Sequence, residues 1–259
     1  MRHHTSRWTI MQKPLLYISY GMAKSGSTLG YQLVRTVLEQ AGIAQPYIDM
    51  PEVIRDAGLN FVEVIRPREL TALRDYAEEA GGTPIAIKTH SGMWNCVENG
   101  LNEGWIIGHA VARDPRDIAL SMMDASRDNR AWGKRDGEPL RHIEDALEGV
   151  RNNAQKFLKW ADHPSMLTLN YARLAFDTEA SAKRLADQLG VEVDIVRAAK
   201  AAKKSSTNFN KGARRRHTRE MSEAVSERIG AEFRNFIDTY CDDGFEPKRP
   251  LLKRLLSRS

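Results

Sequence analysis

Residues 21–28 read Gly-Met-Ala-Lys-Ser-Gly-Ser-Thr, after the apolar run 14–20 and before helical apolar spacing at Leu29, Leu33, Val34, Val37, Leu38 and Ala41. A buried strand passing through a Gly/Ser turn into a helix gathers backbone N–H groups and a helix N-terminus at one point, which is where an anion binds. Gly42 stands where such a helix would stop. The spacing is that of a phosphate-binding loop, G-x-x-x-x-G-K-[ST], with Ser27 in the lysine's place and a lysine, Lys24, three residues earlier. A plain turn between strand and helix has the same composition, so the remainder of the chain must decide between the two.

Further strand candidates lie at 85–89, 105–112 and 166–170, with helical patterns at 67–80, 115–127, 140–160, 180–189 and 220–240. Strands alternating with helices predict a three-layer α/β/α fold around a central, mostly parallel sheet. Ligands in such sheets sit at the C-terminal strand ends. Without a repeat or low-complexity linker, 259 residues read as a single domain over 1–247, with a flexible stretch at 1–13 and a basic tail at 248–259. Two cysteines, Cys96 and Cys241, form neither a disulfide framework nor a metal site. Residues 1–13 are polar and basic, and no apolar run reaches the length of a membrane span, so a cytoplasmic protein is expected.

The net charge of +5 is unevenly spread. Residues 195–219 hold nine basic side chains and no acidic one, and the tail adds five more, leaving the rest of the chain acidic. A basic island on an acidic body points to a polyanion site.

The unusual residues cluster at strand ends. Lys88 and His90 close the run 85–90; two residues apart on a strand, they share a face. Imidazole has the ordinary pKa that a general base needs near neutrality. The run 106–112 ends in Arg113-Asp-Pro-Arg-Asp117, with Ser121 eight residues after the arginine. A guanidinium there suits an anion better than a metal ion, while Asp114 and Pro115 also read as a helix cap and first turn.

These segments together resemble the PAPS-dependent sulfotransferases, where PAPS is 3'-phosphoadenosine-5'-phosphosulfate. Residues 20–28 resemble the family's 5'-phosphosulfate loop, PKSGTTW, with Leu29 in place of the tryptophan. Lys88-Thr-His90 matches its K-T-H, and residues 113–121 match its 3'-phosphate motif R-[ND]-P-[KR]-D-x-x-x-S. Lys211-Gly212 matches part of R-K-G-x-x-G; Asn210 replaces the arginine and the second glycine is missing. Tyr171 matches the tyrosine of Y-E-D-L, but Ala-Arg-Leu follows it. The resemblance spans about residues 14–245 and implies a sulfotransferase with PAPS as donor. It implies His90, Lys24 and Lys88 in catalysis, and Lys24, Ser25, Gly26, Ser27, Thr28, Arg113, Ser121, Tyr171, Lys211 and Gly212 around the nucleotide. No metal is required, because lysines supply the positive charge. Arg214, Arg215 and Arg216 could compensate for the missing arginine, but they read by default as a solvated basic face.

The acceptor segments, 47–66, 91–104 and 127–141, fit no general pattern; the polar character of the last favours a carbohydrate, glycolipid or other polar hydroxyl acceptor over a flat phenol. A phosphate-loop kinase or NTPase shares the fold, but the displaced lysine and Arg113 argue against it. A nucleic-acid binder has no supporting motif here. The tail, with Leu251, Leu252, Leu255 and Leu256 on one helical face among cations, is compatible with peripheral contact to an anionic membrane, and equally with a solvated tail. The sequence does not set the oligomeric state.

Overall fold

The computed structural model describes residues 14–56, 59–128, 139–205 and 212–242. The strands are β1 (Leu16–Gly21), β2 (Ile54–Asp56), β3 (Leu59–Val62), β4 (Ile85–Thr89), β5 (Ile106–Ala112) and β6 (Met166–Asn170). They form one sheet in the order β2-β3-β4-β1-β5-β6. Every neighbouring pair is parallel except β2 with β3. The expected mostly parallel α/β architecture is therefore the observed one.

Period-two alternation divides the interior between two faces. Leu16, Ile18 and Tyr20 of β1, with Ile85 and Ile87 of β4, enter one core. That core is closed by α2 (Pro67–Glu79), α3 (Asn95–Glu103), α4 (Pro115–Arg127) and α5 (Ile143–Ala161). Tyr17, Ala86, Ile107 and Val111 face the other way. There they meet α1 (Ser27–Gln40), α6 (Tyr171–Phe176), α7 (Thr178–Leu189) and α8 (Ile195–Ser205). Both faces are covered, so the central strands read as unbroken apolar runs, which is why they were legible.

Several features depart from the sequence reading, among them helices α3, α6 and α8, which that reading does not contain. The antiparallel pair β2–β3 lies inside a segment with no strand pattern, because strands of three and four residues are too short to show a period. The expected helix over 220–240 is three pieces: α9 (His217–Glu220), α10 (Glu223–Glu232) and α11 (Arg234–Tyr240). Extended Met221 and non-helical Phe233 separate them, and both residues pack on the first core. The chain gives up helical continuity there to keep Ile229, Phe233 and Phe236 buried.

The basic island is also divided. Arg197, Lys200, Lys203 and Lys204 occupy the exposed face of α8, whose Ala198 and Ala202 are buried against the second core. Arg214–Arg216 lie elsewhere, half-buried or buried, and they are not a solvated face. Arg216 is 2% exposed and donates to Asp124 at 2.7 Å and to Glu220 at 2.6 and 2.9 Å. Arg214 lies 4.7 Å from the Phe176 ring centre. Among the described residues, no helix is long and apolar enough to cross a membrane. Residues 1–13 and the tail 248–259 lie outside the described residues.

Candidate active site

The sheet register brings four strand ends to one edge. Tyr20 pairs with Thr89, Gly21 with Val111, and Ala112 with Asn170. The residues that follow, from Met22, His90, Arg113 and Tyr171, therefore emerge side by side. β1 sits between β4 and β5, so the chain leaves the sheet centre in both directions and a crevice opens at this edge.

The loop between β1 and α1 is a tight left-handed turn. Lys24 has φ 67° and Gly26 has φ 84°, with the Ser25 N–H donating to the Met22 carbonyl at 3.0 Å. Left-handed residues in such a turn are the conformation from which backbone anion-binding concavities are built. Gly26 has a second reason to lack a side chain: a Cβ there would sit 2.8 Å from Cδ2 of Tyr171. Gly26→Ala should destabilise the fold by about 1–2 kcal/mol through the left-handed backbone alone, read from urea unfolding.

Lys88 and His90 do share a cleft. The Lys88 ammonium donates to Thr28 Oγ1 at 3.1 Å and stands 5.3 Å from the centre of the Phe61 ring. The His90 ring is 5.6 Å from the same phenyl centre. His90 Nδ1 lies 2.6 Å from the Gly21 carbonyl oxygen. A carbonyl can only accept, so Nδ1 carries the proton and Nε2 keeps its lone pair. Burial, then the nearby Lys88 charge, lower the His90 pKa to about 4 against the stabilising bond to Gly21, so the ring is neutral at physiological pH.

The turn after β4 is braced from beneath. The Ser91 N–H donates to Thr89 Oγ1 at 2.9 Å, and the Trp160 indole donates to the Ser91 carbonyl at 3.0 Å. Trp160 in turn stacks on Tyr20 with ring centres 5.2 Å apart.

Arg113 closes the other side. It is 7% exposed, donates from Nη1 to the Lys24 carbonyl at 2.9 Å, and lies 4.1 Å from the Tyr171 ring centre. The arginine thus ties the phosphate-loop backbone to the end of β6. Ser121 is buried on α4, and Gly212 begins the segment beyond α8 with φ 54°. Lys211 lies outside the described residues, as does much of 127–141. Leu29, at the family's tryptophan position, is 2% exposed in the α1-side core and offers no aromatic surface to the cleft. The aromatic ring that does touch the loop is Tyr171.

Buried polar atoms in folded proteins are almost always paired. Among the described residues, Ser25 Oγ, Arg113 Nε and Tyr20 Oη are buried without a partner. Ser25 and Arg113 are on the crevice, and their open valences suit the oxygens of an anion.

A cleft of about 590 Å³ continues from Arg113 and Tyr171 past Arg215, His217 and Cys241. Arg215 holds φ 46°, unusual for a non-glycine residue. It stands at the second glycine of the R-K-G-x-x-G spacing. Two residues near these groups escaped sequence reasoning: Phe61 on an illegible strand, and His217, hydrogen-bonded to the motif residue Asp117 from 100 positions away.

The chain matches the sulfotransferase domain family over residues 17–241. No curated protein matches it by sequence. Among solved structures it is similar to a retinol dehydratase in complex with androsterone and the inactive cofactor PAP, with a TM-score of 0.55 and 16% identity. That likeness covers 92% of this chain and 83% of the other. It is also similar to the mouse sulfotransferase SULT7A1 complexed with PAP, with a TM-score of 0.51 and 16% identity over 85% and 84% of the two chains. At such identity these likenesses speak for the fold, and the family match speaks for the class. The chain belongs to the sulfotransferase domain family. Membership makes it a sulfotransferase enzyme.

Proposed function

We propose that this cleft holds PAPS with its 5'-phosphosulfate on the loop Lys24, Ser25, Gly26, Ser27 and Thr28. Its 3'-phosphate lies against Arg113, Ser121, Lys211 and Gly212, with Tyr171 beside the nucleotide. The sulfuryl group passes in line to a hydroxyl or amine of a polar acceptor. The acceptor's oxygen or nitrogen bonds to sulfur as the bond from sulfur to the bridging phosphate oxygen breaks. 3',5'-ADP leaves with that electron pair, and Nε2 of His90 takes the acceptor's proton. Lys24 and Lys88 offset the charge that grows on the leaving phosphate. The reading needs no metal ion, since two fixed ammonium groups carry that charge.

The observation that carries this reading is the shared strand-end edge, from which the loop, Lys88, His90 and Arg113 all emerge, with Ser25 Oγ and Arg113 Nε unpartnered among the described residues. A polar acceptor, such as a carbohydrate or glycolipid, is supported by the setting of His90. Lys156 on α5 contributes to the positive field around the ring. Trp94, four residues beyond, is 45% exposed and can stack on a sugar ring. A cytoplasmic location belongs to the same proposal and is consistent with the free thiols Cys96 and Cys241.

A ligand that binds only the folded state raises its melting temperature. PAPS and 3',5'-ADP at about a hundred times Kd should therefore stabilise the protein by about 2.7 kcal/mol. ATP·Mg²⁺ should have much less effect. A larger shift with ATP·Mg²⁺ than with 3',5'-ADP would favour a phosphotransferase instead.

A further inference from the structure

We infer that His217 is a positioning residue for the donor subsite, holding Asp117 back so that Arg113 keeps donors available for the 3'-phosphate. The inference rests on the nucleotide reading given above. Neither residue touches the reacting atoms.

Asp117 is one helical turn after Arg113, and both side chains are buried. A buried carboxylate and guanidinium spaced in this way ordinarily close into a short, bidentate bridge. Here they do not: Arg113 Nη2 and Asp117 Oδ2 are 3.9 Å apart, beyond hydrogen-bond distance, and Arg113 Nε has no partner among the described residues. The other carboxylate oxygen explains the gap. Asp117 Oδ1 accepts from the His217 backbone N–H at 3.0 Å and from its Nδ1 at 2.8 Å. Among the described residues, the other carboxylate near that ring nitrogen, Asp114, is 4.0 Å away and is occupied by Arg116 at 2.6 and 2.9 Å.

The carboxyl pKa of Asp117 is lowered although burial alone would raise it, because the His217 bonds and the Arg113 charge outweigh burial. The aspartate is thus a fixed anion. It lies close enough to keep Arg113 in place, and it is restrained from satisfying it. The restraint comes from across the chain. Residues 212–220 are pinned on α4 by the bond of buried Arg216 to Asp124, while Glu220 of the same segment orients the guanidinium, and this delivers His217 to Asp117. Removing the ring donor should free Asp117 to close on Arg113 and compete with the 3'-phosphate for the same N–H groups.

The test compares binding of 3',5'-ADP with that of 5'-AMP, which lacks the 3'-phosphate, by calorimetry on the whole chain. The wild-type protein should prefer 3',5'-ADP. His217→Leu should reduce that preference about ten-fold by weakening 3',5'-ADP alone, as loss of one charge-assisted bond implies. In turnover it should raise the donor KM and leave kcat nearly unchanged. His217→Asn, whose amide nitrogen replaces Nδ1, should restore the preference. If the leucine variant does not fold, His217→Gln fills the space with its amide one bond too far and should lose the preference in the same way.

Equal weakening of both nucleotides would mean that His217 only supports the fold, and an unchanged preference would also overturn the inference. A wild-type protein without any preference for 3',5'-ADP would instead defeat the nucleotide reading on which the inference stands.

Discussion

His90→Ala should lower turnover by about 10²–10⁴-fold, the usual range for loss of a general base, with 3',5'-ADP binding close to wild type. The reason is local. The Gly21 carbonyl holds the proton on Nδ1, which leaves Nε2 as the only basic atom of the ring. The Trp160–Ser91–Thr89 bonds fix the turn that carries it. Alanine removes that lone pair and leaves the phosphate loop, Lys88 and Arg113 in place.

The pH profile offers a second readout of the same assignment. A histidine with its ordinary pKa would lose half its activity near pH 6.5. Burial and the Lys88 charge lower the His90 value to about 4, so in the free enzyme the acid limb of kcat/KM should move toward pH 4. The sign is that of a depressed base: it stays neutral, and competent, well below pH 6.5. Bound donor brings negative charge to the ring and should raise the limb seen in kcat. A His90→Ala variant with full sulfotransfer would remove the residue from the mechanism.

Arg216→Met should cost about 3 kcal/mol of folding stability, measured as a lowered urea midpoint at unchanged slope. Arg216 is 2% exposed and is held by two carboxylates, and Glu220 and Asp124 raise its pKa above an already high value. Methionine nearly fills the volume, so the effect isolates charge from packing. What remains is Asp124 facing Glu220 without the cation between them, and both are partly screened at 15% and 32% side-chain exposure. That exposure keeps the expectation at the lower end of the range for broken buried pairs. The variant should also weaken 3',5'-ADP binding, because the segment carrying His217 is anchored there. A midpoint within about 0.5 kcal/mol of wild type would mean that the triad is an incidental surface cluster.

Much of the site was readable because its residues are local in sequence. A phosphate loop is eight consecutive residues between a strand and a helix, and Lys88 with His90 is a strand ending. Arg113, Asp114 and Pro115 are a strand ending and a helix start. Each pattern rests on backbone geometry that repeats every few residues, and the apolar runs of β1, β4 and β5 announce themselves because both sheet faces are covered. Phe61 was illegible for the opposite reason: a four-residue strand with one antiparallel neighbour has no period to detect. The basic run Arg214–Arg216 was misleading, since composition cannot show that Arg216 has two carboxylates waiting beneath it.

The sequence by itself determined that strands and helices alternate, that an anion-binding turn follows the first strand, and which charged groups stand at strand ends. Only the tertiary structure decided that those ends share one edge, that the Gly21 carbonyl sets the His90 tautomer, and that His217 reaches Asp117. Such contacts join positions tens to a hundred residues apart. Strand order and register create them, and no spacing along the chain encodes either.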